Sequence, residues 1–134
     1  MDLQMNKNAF SIIELIFTIV VIGIIASVAV PKLMSTKTSA QVASLKQDIT
    51  TITTSIQSYY LVNGNIDKIS DAINVNSSVW DILDTEVKFV ENTKTCISIK
   101  IDGTNLNMTI DSSVGDICES LSNSGIVTTT YKLQ

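Results

Sequence analysis

The side chains able to do chemistry are nine Lys and 13 Asp or Glu, with no His and no Arg among 134 residues. That inventory excludes Ser-His-Asp catalysis, His-ligated metal centres and guanidinium clamps on phosphate. Carboxylates and amines remain, without a paired constellation or a Gly-rich phosphate loop, so no enzymatic activity is expected. Asp111, Asp116 and Glu119 are the acids that calcium could use, but they match no calcium-loop spacing. Solvated surface acids and no cofactor are the expectation there. Cys96 and Cys118 cannot hold zinc without His; one disulfide between them would place their half of the chain in an oxidising compartment.

One carboxylate stands apart. Glu14 opens a run without any charge until Lys32, inside the apolar stretch FSIIELIFTIVVIGIIASVAV from Phe10 to Val30. Seventeen charge-free residues span about 26 Å as a helix, against a hydrocarbon core of ~30 Å. Including Phe10 to Glu14 makes the stretch long enough to cross. An acid at the centre of such a helix costs roughly 2.5–3.5 kcal/mol, less near the interface, and needs compensation. Pro31 has no turn residues around it, which predicts a kink rather than a stop. Cleavage after Ser27-Val28-Ala29, as in a secretory signal peptide, is disfavoured by Glu14 and by Pro31 beside the cut.

Past Pro31 the pattern changes. Val42, Leu45, Ile49, Ile52, Ile56 and Tyr59 recur at spacings of three and four, with Ser, Thr, Gln and Lys between them. That is one apolar stripe on a helix ending near Asn63-Gly64. Thr and Ser are mediocre helix formers, so the stripe must pack against something. The remainder reads as a small α+β unit. It has a short helix or loop over 66–74, a turn over 78–84, and strands over 86–90, 95–101, 106–111 and 126–133. A helical turn is predicted over 114–121, and Asp102-Gly103 marks a hairpin. Charge divides along the same line: residues 1–60 carry +1, residues 61–134 carry −5. The acidic half disfavours direct nucleic-acid binding.

The block Ala9-Phe10-Ser11-Ile12-Ile13-Glu14-Leu15, the apolar helix to Pro31, Gly23 and the Tyr59-Tyr60…Asn63-Gly64 helix end resemble the type IV pilins and type II secretion pseudopilins. The resemblance runs from about Ala9 to Gly64. It implies a leader over 1–9, a membrane-spanning and filament-core half over 10–31, an amphipathic half over 32–63 and a periplasmic α+β head over 64–134. It implies cleavage by a prepilin peptidase between Ala9 and Phe10, N-methylation of Phe10, and assembly through Glu14 and Pro31. The family usually has Gly where Ala9 stands and a basic leader. Asp2 cancels Lys7 here, and a start at Met5 would fit the pattern better. Some secretion pseudopilins bind calcium through an acidic C-terminal loop, which is where Asp111, Asp116 and Glu119 stand.

The expected protein is a structural subunit of a type II secretion pseudopilus or related type IV filament. The helix length from Val20 to Gly64, with Lys32-Leu33-Met34 directly after Pro31, looks most like the major pseudopilin. It would be single-pass in the inner membrane with its head in the periplasm before assembly. Its partners would be other copies, minor pilin-like subunits, the prepilin peptidase, the inner-membrane assembly platform and lipid. A type IV or competence pilin for adhesion or DNA uptake is the alternative; a monomeric signal-anchored periplasmic binding protein is the next.

Overall fold

A computed structural model describes residues 10–134; the leader expected over 1–9, Ala9 included, lies outside the described residues. The architecture is α+β, with one long N-terminal helix and a five-stranded antiparallel sheet. Helix α1 runs Ile12–Asn63 and continues through Pro31. It ends where Gly64 turns left-handed at φ 77° and its N–H reaches the Tyr60 carbonyl at 2.7 Å. The Asn63 amide donates to the Tyr59 carbonyl at 3.0 Å, so two of the terminal carbonyls have partners.

The chain divides into two compact units, one up to Lys37 and one from Thr38 to Gln134. In the first, every described residue with an assigned exposure from Phe10 to Lys37 is exposed. In the second, the stripe Val42, Leu45, Ile49, Ile52 and Ile56 is buried in one core with the sheet. Tyr59, the last residue of the predicted stripe, is only half-buried, and Tyr60 packs against the core beside it. Thr53 is buried within the helix because its hydroxyl donates to the Ile49 carbonyl at 3.0 Å.

The sheet is a meander in the order β1-β2-β3-β4-β5: Trp80–Ile82, Glu86–Glu91, Lys94–Asp102, Asn105–Ile110 and Thr129–Lys132. Three inward rows follow from the alternation of apolar residues, one of them Phe89 with Ile97 and Ile97 with Ile110. Val87 pairs with Ile99 and Ile99 with Met108; Ile101 pairs with Leu106 and Leu106 with Tyr131. Gly103, at φ 60°, makes the predicted β3–β4 turn. The β2–β3 turn instead uses Asn92 and Thr93 at φ 50° and 66°. Left-handed φ at both central residues matches the type I′ hairpin, at a cost for the β-branched Thr93.

The stretch expected as a turn over 78–84 is a turn followed by an edge strand. The turn closes through Trp80 N–H to the Asn76 carbonyl at 2.9 Å, and β1 then pairs with β2. A three-residue strand is too short to show alternation, and what anchors it is Trp80, 1% exposed and tilted against Phe89. Two short helices complete the unit: α2, Ile69–Ala72, inside the 66–74 stretch, and α3, Asp116–Asn123, shifted two residues from the predicted turn.

Candidate functional site

Leu15 to Pro31 presents an exposed, charge-free and largely apolar surface, preceded by Phe10 at 76% exposure and Ile12 at 78%. The helix is long and apolar enough to cross a membrane, by length and composition. Its first turn is closed by Ser11. The Ser11 hydroxyl accepts the Glu14 N–H at 3.2 Å and the Ser11 carbonyl accepts the Leu15 N–H at 3.1 Å. Ser11 is thus the N-cap and Glu14 the third helical residue, the S-x-x-E spacing of a capping box. The Glu14 carboxylate lies in the first turn, where the helix dipole favours an anion, and nothing among the described residues bonds to it. Thr18 donates to the Glu14 carbonyl at 2.8 Å and Ser27 to that of Ile24 at 2.7 Å. Hydroxyls satisfied by their own helix can sit in an apolar setting at little cost. Pro31 is exposed on α1.

In the second unit Cys96 of β3 and Cys118 of α3 form a disulfide with Cα atoms 5.8 Å apart, and both residues are buried. Glu91 lies beside it. One carboxylate oxygen accepts the Ile117 N–H at 3.1 Å and the other the Cys118 N–H at 3.0 Å. A residue 26 positions away therefore caps α3, whose own N-cap, Gly115, has no side chain to do so. A Cβ on Gly115 would meet the Glu91 carboxylate, which would have to shift from its two bonds to α3 to make room. Asn92 adds a bond to the Val114 carbonyl at 3.1 Å, so the β2–β3 hairpin tip holds the α3 entry with three hydrogen bonds and a covalent link. At the other end of α3, the Lys46 ammonium donates to the Ser124 carbonyl at 3.2 Å.

Among the described residues, Glu91, Cys96 and Cys118 are the acids and thiols that converge within 4.8 Å. The sulfurs are bonded to each other and both Glu91 oxygens are taken by α3, so the group has the chemistry of a staple. Asp111, Asp116 and Glu119 are all exposed and do not form such a cluster. Asp111 closes its own loop, accepting from the Ser113 N–H at 3.0 Å and from the Ser113 hydroxyl. Those two bonds hold its carboxyl below the usual carboxylate range.

Phe10, Glu14, Pro31, Cys96 and Cys118 stand out in the sequence; Ser11, Glu91, Gly115 and the pair in which the Trp80 indole N–H donates to Asp48 at 2.9 Å do not. Ser11 had a local signal in the Ser11-Ile12-Ile13-Glu14 spacing. Glu91 had none, because its partners are distant in the chain. No family model, no curated protein and no solved structure matches this chain.

Proposed function

We propose that this chain is a pilin-like structural subunit of a type II secretion pseudopilus or related type IV filament. The observation that carries the reading is the exposed, charge-free face of α1 from Leu15 to Pro31 with a single acid in the first turn. Water does not tolerate that surface at full length, and a lipid core or a bundle of like helices does. Glu14 gives the face its asymmetry. Cleavage after Ala9 makes an ammonium at Phe10, one helical turn from Glu14, which offsets the cost of the carboxylate in lipid. In a stack of such helices the amine of one subunit pairs with Glu14 of the next.

The subunit waits in the inner membrane with its disulfide-linked head in the periplasm, is trimmed and N-methylated at Phe10, and enters a filament through its apolar helix. It performs no catalysis. Its partners are other copies, minor pilin-like subunits, the prepilin peptidase and the assembly platform. Intact-mass measurement of the chain from its native host tests this: the mature protein is expected to begin at methylated Phe10, and a mature chain that begins at Met1 or Val30 contradicts it.

A further inference from the structure

The second unit carries an open groove of about 270 Å³. Leu45 of α1, Val79, Phe89 of β2 and Ile117 of α3 supply its apolar lining, and Gln41, Ser44, Asp48 and Asn76 its polar lining. Asp48 is fixed in place: its Oδ2 accepts the Trp80 indole N–H at 2.9 Å. Among the described residues nothing bonds to its other oxygen. An occupant that suits this groove brings an apolar side chain for the apolar lining and, next to it in the chain, a cation for Asp48.

The chain itself contains such a segment. Of the exposed large apolar side chains described, Leu33 alone has a Lys as chain neighbour. Leu33 is 66% exposed and Lys32 is exposed beside it. The charges are complementary on the larger scale too, since Thr38–Gln134 holds eleven acids against six Lys, while Lys32 directly follows the charge-free run and Lys37 comes five residues later. We propose that the groove of one subunit receives the Lys32-Leu33 segment of a second copy, Leu33 against the apolar lining and the Lys32 ammonium against Asp48. The contact is heterologous, with different patches of the two copies meeting, so it repeats from copy to copy without closing on a pair. It rests on the filament reading and names the surface on the head that the helix of a neighbour uses.

The test is a pairing of two singly substituted full-length chains, Leu33→Cys and Val79→Cys, co-expressed in membranes and treated with a short thiol crosslinker. The native cysteines are both in the disulfide and do not compete. A heterodimer is expected from the mixture and from neither chain alone. Asp48→Asn keeps an oxygen acceptor for the Trp80 indole but removes the charge; it is expected to lower the yield up to about five-fold, the range of one exposed ion pair. Lys32→Glu is expected to lower it further, by repulsion. Sheared filaments that lack the 33–79 crosslink overturn the docking and leave the filament reading standing. Crosslinked chains that never shear off as filaments support the docking and overturn the filament reading. A yield indifferent to Asp48→Asn and Lys32→Glu overturns the docking.

Discussion

The two stretches of α1 are built to different rules. Ile12 and Ile13 are 78% and 76% exposed, while Ile52 and Ile56, on the same helix, are 0% exposed. The later stretch confines its apolar residues to one stripe, gives them a sheet to meet, and covers its other faces with Thr, Ser and Gln. The earlier stretch is charge-free from Leu15 to Pro31, and its described residues with an assigned exposure are all exposed. A one-sided stripe is satisfied by folding; an all-round apolar surface is satisfied by lipid or by other helices of its kind. One helix thus serves two environments, and the first charge after the charge-free run, Lys32, marks the change.

The largest effect expected from breaking that contrast is in the core. Ile52→Ala should destabilise the folded unit by about 2–5 kcal/mol, whereas Ile19→Ala should leave its unfolding midpoint unchanged, since Ile19 is 58% exposed. Denaturant titration of the detergent-solubilised chain, read at Trp80, compares the two. A loss of head stability in Ile19→Ala would show that the stretches are not independent. Replacing Cys96 and Cys118 by Ser together should cost about 3 kcal/mol, since the link closes a separation of 22 residues. The melting temperature measures it, and a native chain whose thiols label freely would remove the claim.

Smaller effects come from the hairpin tip. Gly115→Ala pushes a methyl group into the Glu91 carboxylate and should cost about 1–3 kcal/mol. Combining it with Glu91→Ala should be less than additive, because the second change removes both the clash and the cap; a double-mutant cycle of melting temperatures reads the coupling. The smallest effect belongs to Asp111. Its carboxyl titrates below the ordinary 3.8 because Ser113 bonds the ionised form. The loop order it contributes is present above that ordinary value and lost as pH falls through the lowered one. NMR titration should find the Asp111 midpoint raised towards 3.8 in Ser113→Ala, and an unmoved midpoint would discard Ser113 as the cause.

How much of the molecule was legible in the sequence depends on the range of the interaction that decides each part. The stripe from Val42 to Ile56, the end of α1 at Gly64 and the alternation in Thr95–Ile101 are set by neighbours within a few residues, so periodicity and turn chemistry reveal them. The β2–β3 turn was not marked, because Asn92 and Thr93 adopt left-handed φ without any Gly. Strand β1 was hidden by its length and by the dependence of Trp80 on Asp48, 32 residues away. The apolar face and Glu14 stand out from composition alone, whereas the capping of α3 by Glu91 requires the fold to bring the partners together.

The most direct measurement compares Glu14→Val with the parent, counting subunits in sheared filaments against subunits left in membranes. The substitution makes the exposed helix more apolar, so insertion and cleavage should be preserved. It removes the only acid in the apolar stretch able to receive the Phe10 amine of an incoming copy, leaving that amine unpaired in an apolar core at a cost of several kcal/mol. The account predicts processed Glu14→Val that accumulates in membranes and is depleted from filaments. Equal incorporation of Glu14→Val and parent would contradict it.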